Sequence, residues 1–102
     1  MPPTELLEPA QETAERTKLA PRWKVLLHDD PITHFDFVVG VLQKVFRLSG
    51  VDALRITREA HEHGTALVLV TTLEEGELYR DQVRAMARPR GYPLSVTLEA
   101  AD

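Results

Sequence analysis

Two short stretches of the sequence contain most of the side chains that could do chemistry. They are residues 28–34, HDDPITH, and residues 61–63, HEH. Histidines and carboxylates can ligate a metal, take part in acid–base catalysis, or hold a cation. The spacing of the residues bears differently on each of these three interpretations.

A metal site is disfavoured by the spacing. His61 and His63 are two positions apart, so on a helix they point about 200° apart and cannot chelate one ion together. A zincin helix places two histidines four positions apart, and residues 61–63 hold no such pair. A site built from His28, Asp30 and His34 stays open, but no spacing rule supports it. We predict no metal and no cofactor.

A hydrolytic site is disfavoured by the residue types. It needs a nucleophile, a base and an orienting group, and the chain has no cysteine. Neither Ser49 nor Ser95 lies in a nucleophile-elbow sequence. Asp29 and Asp30 are adjacent, and neighbouring side chains of an extended chain point to opposite sides, which makes them a poor catalytic pair. We predict that the protein is not an enzyme.

The third interpretation is a cation-binding pocket beside an apolar cavity. Carboxylates on a loop and a histidine on a nearby helix suit a primary ammonium group, which has three donors. The apolar flanks of the first two helices would form the adjoining cavity. From the residues alone this stays one option among several, because loop carboxylates are most often solvated turn residues.

The elements that must position these side chains follow from hydrophobic periodicity and from breaker residues. Residues 22–28 are typical of a first strand, and Pro31 cannot continue it. Thr33 is predicted as the N-cap of a helix over about 34–48. The later elements are predicted as a helix over 52–63 ended by Gly64, a strand over 65–71, a helix opened by Thr72 and Glu75 and ended by Pro89 and Gly91, and a strand over 94–98. The continuous apolar run at 66–70 is typical of a buried central strand.

This order, β-α-α-β-α-β, predicts the α+β class: one small domain with a three-stranded sheet packed by helices. Residues 1–21 hold four prolines and show no sustained apolar face. We predict that they form a flexible N-terminal arm. Residues 22–102 would form the core.

Composition limits the classes of partner. The chain has 102 residues, enough for one domain, and a net charge of −4 that disfavours nucleic acid as the main partner. No apolar run approaches the about 20 residues of a membrane span. Residues 1–20 carry four glutamates and do not resemble a signal peptide. We therefore expect a cytoplasmic protein with no nucleic-acid or membrane partner.

One basic cluster stands out from this acidic balance: Arg80, Arg84, Arg88 and Arg90. The first three are spaced four residues apart and would line one face of a helix. They could form a solvated face near a helix C-terminus, where cations suit the dipole, or a contact surface for an acidic partner. Both interpretations stay open.

Three stretches, taken in order, resemble the ClpS adaptor family. Residues 24–39, KVLLHDDPITHFDFVV, are similar to its first strand, Asn-Asp-Asp-type loop and helix start. Residues 60–66, AHEHGTA, look like its Val-His-x-x-Gly-x-Ala segment, and residues 92–99, YPLSVTLE, resemble its closing strand. The resemblance covers residues 22–100. It implies an adaptor that binds N-degrons, which are free N-termini with a large hydrophobic first residue, and delivers them to a Clp unfoldase-protease.

The resemblance also implies roles for single residues. Contact with the substrate's α-amino group would fall to Asp29, Asp30 and His61. The hydrophobic pocket and its gate would comprise Thr33, Phe35, Val38, Thr57 and Ala60. A weaker similarity assigns docking of the unfoldase to Glu74 and Glu77, and substrate delivery to the arm. The implied partners are N-degron substrates and the N-terminal domain of a ClpA- or ClpC-type AAA+ unfoldase. The resemblance also implies that the protein is bacterial and acts as a monomer.

The sequence departs from the family pattern at several of these positions. Asp29 replaces an asparagine, which should strengthen attraction to an ammonium unless repulsion from Asp30 raises one pKa. Phe35 and Thr57 replace residues that are often methionine, and Ala60 one that is often valine. We expect a reshaped pocket that accepts Phe, Tyr, Trp and Leu and excludes Ile and Val less strictly. The alternative is a general α+β interaction module, of the ribosomal-stalk kind, that uses the arginine face.

Overall fold

The computed structural model of the chain describes residues 20–101. The elements are β1 (Trp23–His28), α1 (Phe35–Phe46), α2 (Gly50–His63), β2 (Thr65–Thr71), α3 (Leu73–Ala87), a 3-10 turn (Arg88–Arg90) and β3 (Ser95–Ala100). This is the predicted α+β order. The predicted arm over residues 1–21 lies outside the described residues apart from Ala20 and Pro21. Its boundary with the core over 22–102 stays a prediction.

The three strands form one antiparallel sheet in the order β2-β1-β3. Within the sheet formed by residues 20–101, β2 is therefore an edge strand, and the prediction that its apolar run marks a central strand is wrong. The apolar run is continuous because β2 contains a β-bulge: Val25 pairs with Leu69, but Leu26 pairs with Leu67. Val68 is the extra residue. Val68 is buried in the core and Leu69 packs against it, whereas Leu67 is 45% exposed.

Helix α1 and its N-cap each begin one residue later than predicted. The N-cap is His34, whose backbone is extended, and the predicted cap at Thr33 is wrong. The Thr33 hydroxyl instead donates a hydrogen bond to Asp30 in the preceding loop. At the other end Arg47 adopts the left-handed conformation, with φ of 59°, so the helix ends before the predicted residue 48.

The caps of α2 and α3 are local and involve short side chains. Ser49 Oγ accepts a bond of 3.1 Å from the Asp52 N–H, which starts α2 two residues before its predicted first residue. Gly64, with φ of 90°, ends it as predicted. Thr72 Oγ1 accepts a bond of 3.2 Å from the Glu75 N–H, and this is the predicted start of α3.

The core lies where the helices pack on the sheet. Its most buried members come from every helix, from the strands β1 and β3 and from the segment just before β3: Val25, Leu27, Val41, Leu42, Ala53, Ile56, Ala60, Val83, Ala87, Leu94 and Val96. Each valine, leucine or isoleucine side chain among them contributes about 1.5–3 kcal/mol on burial. At Gly76 the helix α3 comes so close to β3 that an added Cβ would lie 2.8 Å from Leu98 Cδ2. Between residues 20 and 101, no helix is long and apolar enough to cross a bilayer.

Candidate functional site

The loop between β1 and α1 is organised by one carboxylate. Asp30 Oδ1 accepts hydrogen bonds from the Ile32 and Thr33 N–H groups, at 2.9 and 2.7 Å. Asp30 Oδ2 accepts a third bond, of 2.8 Å, from the Thr33 hydroxyl. Pro31 between them has a fixed φ and no N–H to satisfy. The aspartate thus closes a tight turn by accepting hydrogen bonds from the residues that follow it.

These bonds also control the charge of Asp30. Partial burial alone would raise the pKa of its carboxyl group. The N–H and hydroxyl of Thr33, the N–H of Ile32 and the positive charge of Arg88 outweigh that effect, and the pKa lies below its ordinary value. Asp30 is therefore an anion at neutral pH.

The end of α2 meets this loop and brings His61 to it. The Asp29 N–H donates a 2.9 Å bond to the Gly64 carbonyl, which ties the end of β1 to the residue that stops α2. His61 Nδ1 lies 3.6 Å from Asp29 Oδ1, with 69% and 37% of the two side chains exposed. An exposed pair of this kind contributes little to stability, about 1 kcal/mol or less, so a ligand can compete for either partner.

A cavity of about 400 Å³ lies beside these groups. Its lining residues are Leu27, His28, Asp29, Asp30, Pro31, Thr33, Phe35, Val38, Thr57, Ala60, His61 and Leu94. The structure therefore brings together on one cavity all eight residues that the resemblance assigned to the amine contact and the pocket. Leu27 and Leu94 were not among them, although they are 1% and 2% exposed and complete the inner wall.

Thr57 keeps its part of the cavity wall apolar although threonine is a polar residue type. Thr57 is 3% exposed, but its hydroxyl donates a 2.7 Å bond to the Ala53 carbonyl within α2. That bond satisfies the hydroxyl, so the wall does not need a polar ligand atom there. Phe35 is half-buried, and its ring meets the His61 ring edge-on at 6.3 Å. Phe35 thus joins the apolar wall to the histidine.

The other predicted residues lie apart from this cavity. Glu74 and Glu77 are exposed in the first two turns of α3, and Glu77 Oε2 is 3.8 Å from Arg80 Nη2. The arginines differ in what they contact: Arg80 faces acidic neighbours on its own helix, while Arg88 bonds to backbone carbonyls. Among residues 20–101, no group of three or more histidines and carboxylates could hold a metal ion.

Sequence reasoning missed an aromatic cluster next to the cavity. The His34 and Tyr92 rings are 5.7 Å apart, and the Phe37 ring meets Tyr92 edge-on at 4.9 Å. The Arg90 guanidinium lies 5.3 Å from the centre of the Phe37 ring, a cation–π distance. Residues 37 and 92 are far apart in sequence, so no local pattern indicates that they meet.

Comparison with known proteins points to one family. The family model for the ATP-dependent Clp protease adaptor protein ClpS matches residues 18–97. The chain is 43% identical over 94 residues to the ATP-dependent Clp protease adapter protein ClpS of Desulfatibacillum aliphaticivorans, covering 92% of this chain and 86% of that one. It is 41% identical over 92 residues to the protein of the same name from Synechococcus elongatus, covering 89% and 90%.

A solved structure supports the same relationship. The structure of Agrobacterium tumefaciens ClpS2 bound to L-phenylalaninamide matches with a TM-score of 0.76 at 32% identity, covering 78% of this chain and 96% of that one. The fold and the site define a small α+β adaptor domain. The chain belongs to the ClpS family, the adaptor proteins of ATP-dependent Clp proteases. Members of this family are adaptors and not enzymes, in agreement with the prediction from the sequence.

Proposed function

We propose that the cavity binds the first residue of an N-degron and that the protein delivers the substrate to a Clp unfoldase-protease. The observation that carries the proposal is the position of Asp29, Asp30 and His61 at one side of a cavity with an apolar wall. A free N-terminus followed by a large apolar side chain has the complementary shape and charge. L-phenylalaninamide, the ligand named for the Agrobacterium relative, combines a free α-amino group with such a side chain.

The free amine is half of this recognition. A protein α-amino group has a pKa of about 7.7–8.0, so it is mostly charged at neutral pH. Moving it out of water requires hydrogen-bond acceptors, which Asp29 and the neutral form of His61 can provide. Acetylation would remove the charge and two of its three donors, and we expect it to abolish binding.

The apolar cavity supplies the other half. Burying a leucine or phenylalanine side chain is worth about 1.5–3 kcal/mol. Micromolar affinity corresponds to about −8 kcal/mol, which neither contribution reaches alone. A ligand must therefore satisfy both the acidic groups and the cavity, and this requirement makes the site selective for an N-terminal residue.

A labelled peptide that begins with phenylalanine tests the proposal directly. We expect it to bind in a fluorescence anisotropy titration, and we expect its acetylated twin to bind at least about a hundredfold more weakly, since the charge and two donors are lost together. Equal, weak binding of both peptides would instead favour a general interaction module without N-terminal recognition.

The pocket-lining residues refine the proposed specificity. Phe35 is bulkier and stiffer than the methionine common in the family, while Thr57 and Ala60 leave more room than larger side chains would. We propose acceptance of Phe, Tyr, Trp and Leu with weaker exclusion of Ile and Val. Peptides that differ only in their first residue test this. A loss of a hundredfold or more from Leu to Ile is about 2.7 kcal/mol, near the upper limit for one methyl or methylene group, and would reject the relaxed exclusion.

Delivery requires a second surface, and we propose the start of α3 for it. Glu74 and Glu77 are exposed there, on a different part of the molecule from the cavity lining. The proposed partner is the N-terminal domain of a ClpA- or ClpC-type unfoldase, and the arm over residues 1–21 would assist delivery.

Because the protease is ATP-dependent, we propose that the protein acts in the cytoplasm, where ATP is available. We also propose that it acts as a monomer.

A further inference from the structure

Arg88, the first residue of the 3-10 turn, holds the chain that leads into β3. Its Nη1 donates hydrogen bonds to the carbonyls of Tyr92 and Leu94, at 2.8 and 3.0 Å. A charged donor makes stronger bonds than a neutral one, and the planar guanidinium fixes their directions. The segment 92–94 is therefore attached to the end of α3 by this side chain.

This segment forms part of the cavity and of its surroundings. Leu94 lines the cavity and is 2% exposed, so its position sets the inner wall. Tyr92 packs on the rings of His34 and Phe37, which belong to the start of α1. A shift of segment 92–94 would therefore move both the Leu94 side chain in the cavity wall and the Tyr92 ring that packs at the start of α1.

Arg88 also influences Asp30, another residue of the cavity lining. Its positive charge is among the causes that lower the pKa of Asp30, whose bonds hold the loop before α1. The other titratable groups at this cavity are His28 and Asp29 at the end of β1 and His61 from α2.

We propose that Arg88 is a positioning residue for ligand binding, which fixes the Leu94 wall through two carbonyl bonds and balances the negative charge of the Asp30 loop. The inference deepens the proposed function and rests on it, because the ligand is the one proposed above. Arg88 acts through Leu94 and Asp30 and does not line the cavity itself.

Three variants test the proposal with the phenylalanine-initiated peptide. Arg88→Met removes both carbonyl bonds and the charge, and we expect affinity to fall about tenfold or more. Arg88→Lys keeps the charge but has a shorter side chain and lacks the planar guanidinium that directs both Nη1 bonds, so we expect an intermediate loss. Arg84→Met removes a positive charge from an exposed residue one turn earlier and should change affinity by no more than about twofold. Wild-type affinity in Arg88→Met would overturn the proposal.

A second measurement separates positioning from general stability. The titration of the Asp30 carboxyl group can be followed by NMR in the peptide-free protein. We expect its midpoint to move to higher pH in Arg88→Met and to return towards the wild-type value in Arg88→Lys. A residue with a merely structural role would lower the thermal midpoint of unfolding without moving this titration, and an unmoved titration would reject the electrostatic part.

These outcomes are distinct from failure of the proposed function. If the wild-type protein binds the free and acetylated peptides equally, the proposed function fails, whereas the Asp30 titration still reports on Arg88. If Arg88→Met does not fold, the peptide affinity of Arg88→Lys tests the proposal instead. Wild-type affinity in that variant would then overturn the requirement for the guanidinium.

Discussion

Asp29 and Asp30 are neighbours in the chain but use their oxygens differently. Asp30 accepts three bonds from its own loop, whereas Asp29 makes one long, solvent-exposed contact with His61. In the proposed function Asp29 and His61 are therefore the groups with most freedom to bind an ammonium directly. Asp30 would contribute by fixing the loop and through its charge.

The substitution Asp30→Asn should destabilise the protein in a pH-dependent way. An amide oxygen can replace one carboxylate oxygen, but the amide nitrogen cannot accept the Thr33 hydroxyl, and we expect a loss of about 1–2 kcal/mol at pH 7. Because the pKa of Asp30 is lowered in the folded state, the wild-type advantage is complete above the unfolded value of about 3.9 and disappears as the pH falls through the lower folded value.

Urea denaturation between pH 6 and pH 2.5, a range on either side of the ordinary carboxyl pKa, measures this difference. Asp81→Asn, which removes an exposed carboxylate in α3, is the matched control and should change stability little. A wild-type advantage that persists unchanged at the lowest pH would contradict the assigned role of Asp30.

His61→Ala should separate ligand binding from stability. The side chain is 69% exposed, so its removal should change the free energy of unfolding by about 0.5 kcal/mol or less. We expect the affinity for a free N-terminal phenylalanine to fall about tenfold, because the amine loses an acceptor. His63→Ala, two positions further along the same helix turn and outside the cavity lining, is the control in the same titration and should bind normally. Equal affinity in both variants would remove His61 from the site.

At the scale of elements, two helical glycines have opposite surroundings. An added Cβ at Gly40 in α1 would meet nothing within 4 Å, whereas at Gly76 in α3 it would meet Leu98 at 2.8 Å. Alanine stabilises a helix interior by about 0.5–1 kcal/mol relative to glycine. We therefore expect Gly40→Ala to raise stability by this amount and Gly76→Ala to give less or none, because Leu98 must move.

Chemical denaturation of the two single variants is a direct comparison, since the substitution is the same in both. Gly40→Ala also serves as the control for the intrinsic helix preference. An equal gain in the two variants would mean that the close approach of α3 to β3 carries no energetic cost. It would contradict the packing described at Gly76.

At the scale of the whole molecule, two surfaces serve the two proposed partners. The cavity is built where the start of α1, the end of α2 and the segments flanking the sheet meet, and the proposed docking surface lies at the start of α3. An adaptor needs both surfaces free at once. Separate sites on one small domain satisfy that requirement.

Charge reversal at Glu74 and Glu77 tests this separation. We expect the double variant Glu74→Lys, Glu77→Lys to bind the phenylalanine peptide normally and to lose substrate delivery in a reconstituted degradation assay. Lysines in the first turns oppose the helix dipole, and we expect a stability cost of about 0.5–1 kcal/mol. Glu59→Lys, Glu99→Lys makes the same charge change on α2 and β3 and should deliver normally. Normal delivery by the α3 variant would move the docking surface elsewhere.

The order and type of the elements could be predicted from the sequence because their signals are local. Thr72 caps α3, Gly64 ends α2, and the apolar stripes recur with the helical period, all within a few neighbouring residues. The eight site residues could be named only through the resemblance to the family. Their residue types alone left a cation pocket as one interpretation among three.

Only the tertiary structure decided the features that depend on distant parts of the chain. The apolar run of β2 looked central because a bulge turns both Val68 and Leu69 to the core, and a bulge depends on the partner strand. The position of Leu94 in the cavity wall depends on bonds from Arg88, on the other side of a turn. Local preferences indicate which segments form helices and strands and roughly where they end. Pairing, register and cavity walls arise only when separate segments pack together, and a single sequence carries no direct record of that packing.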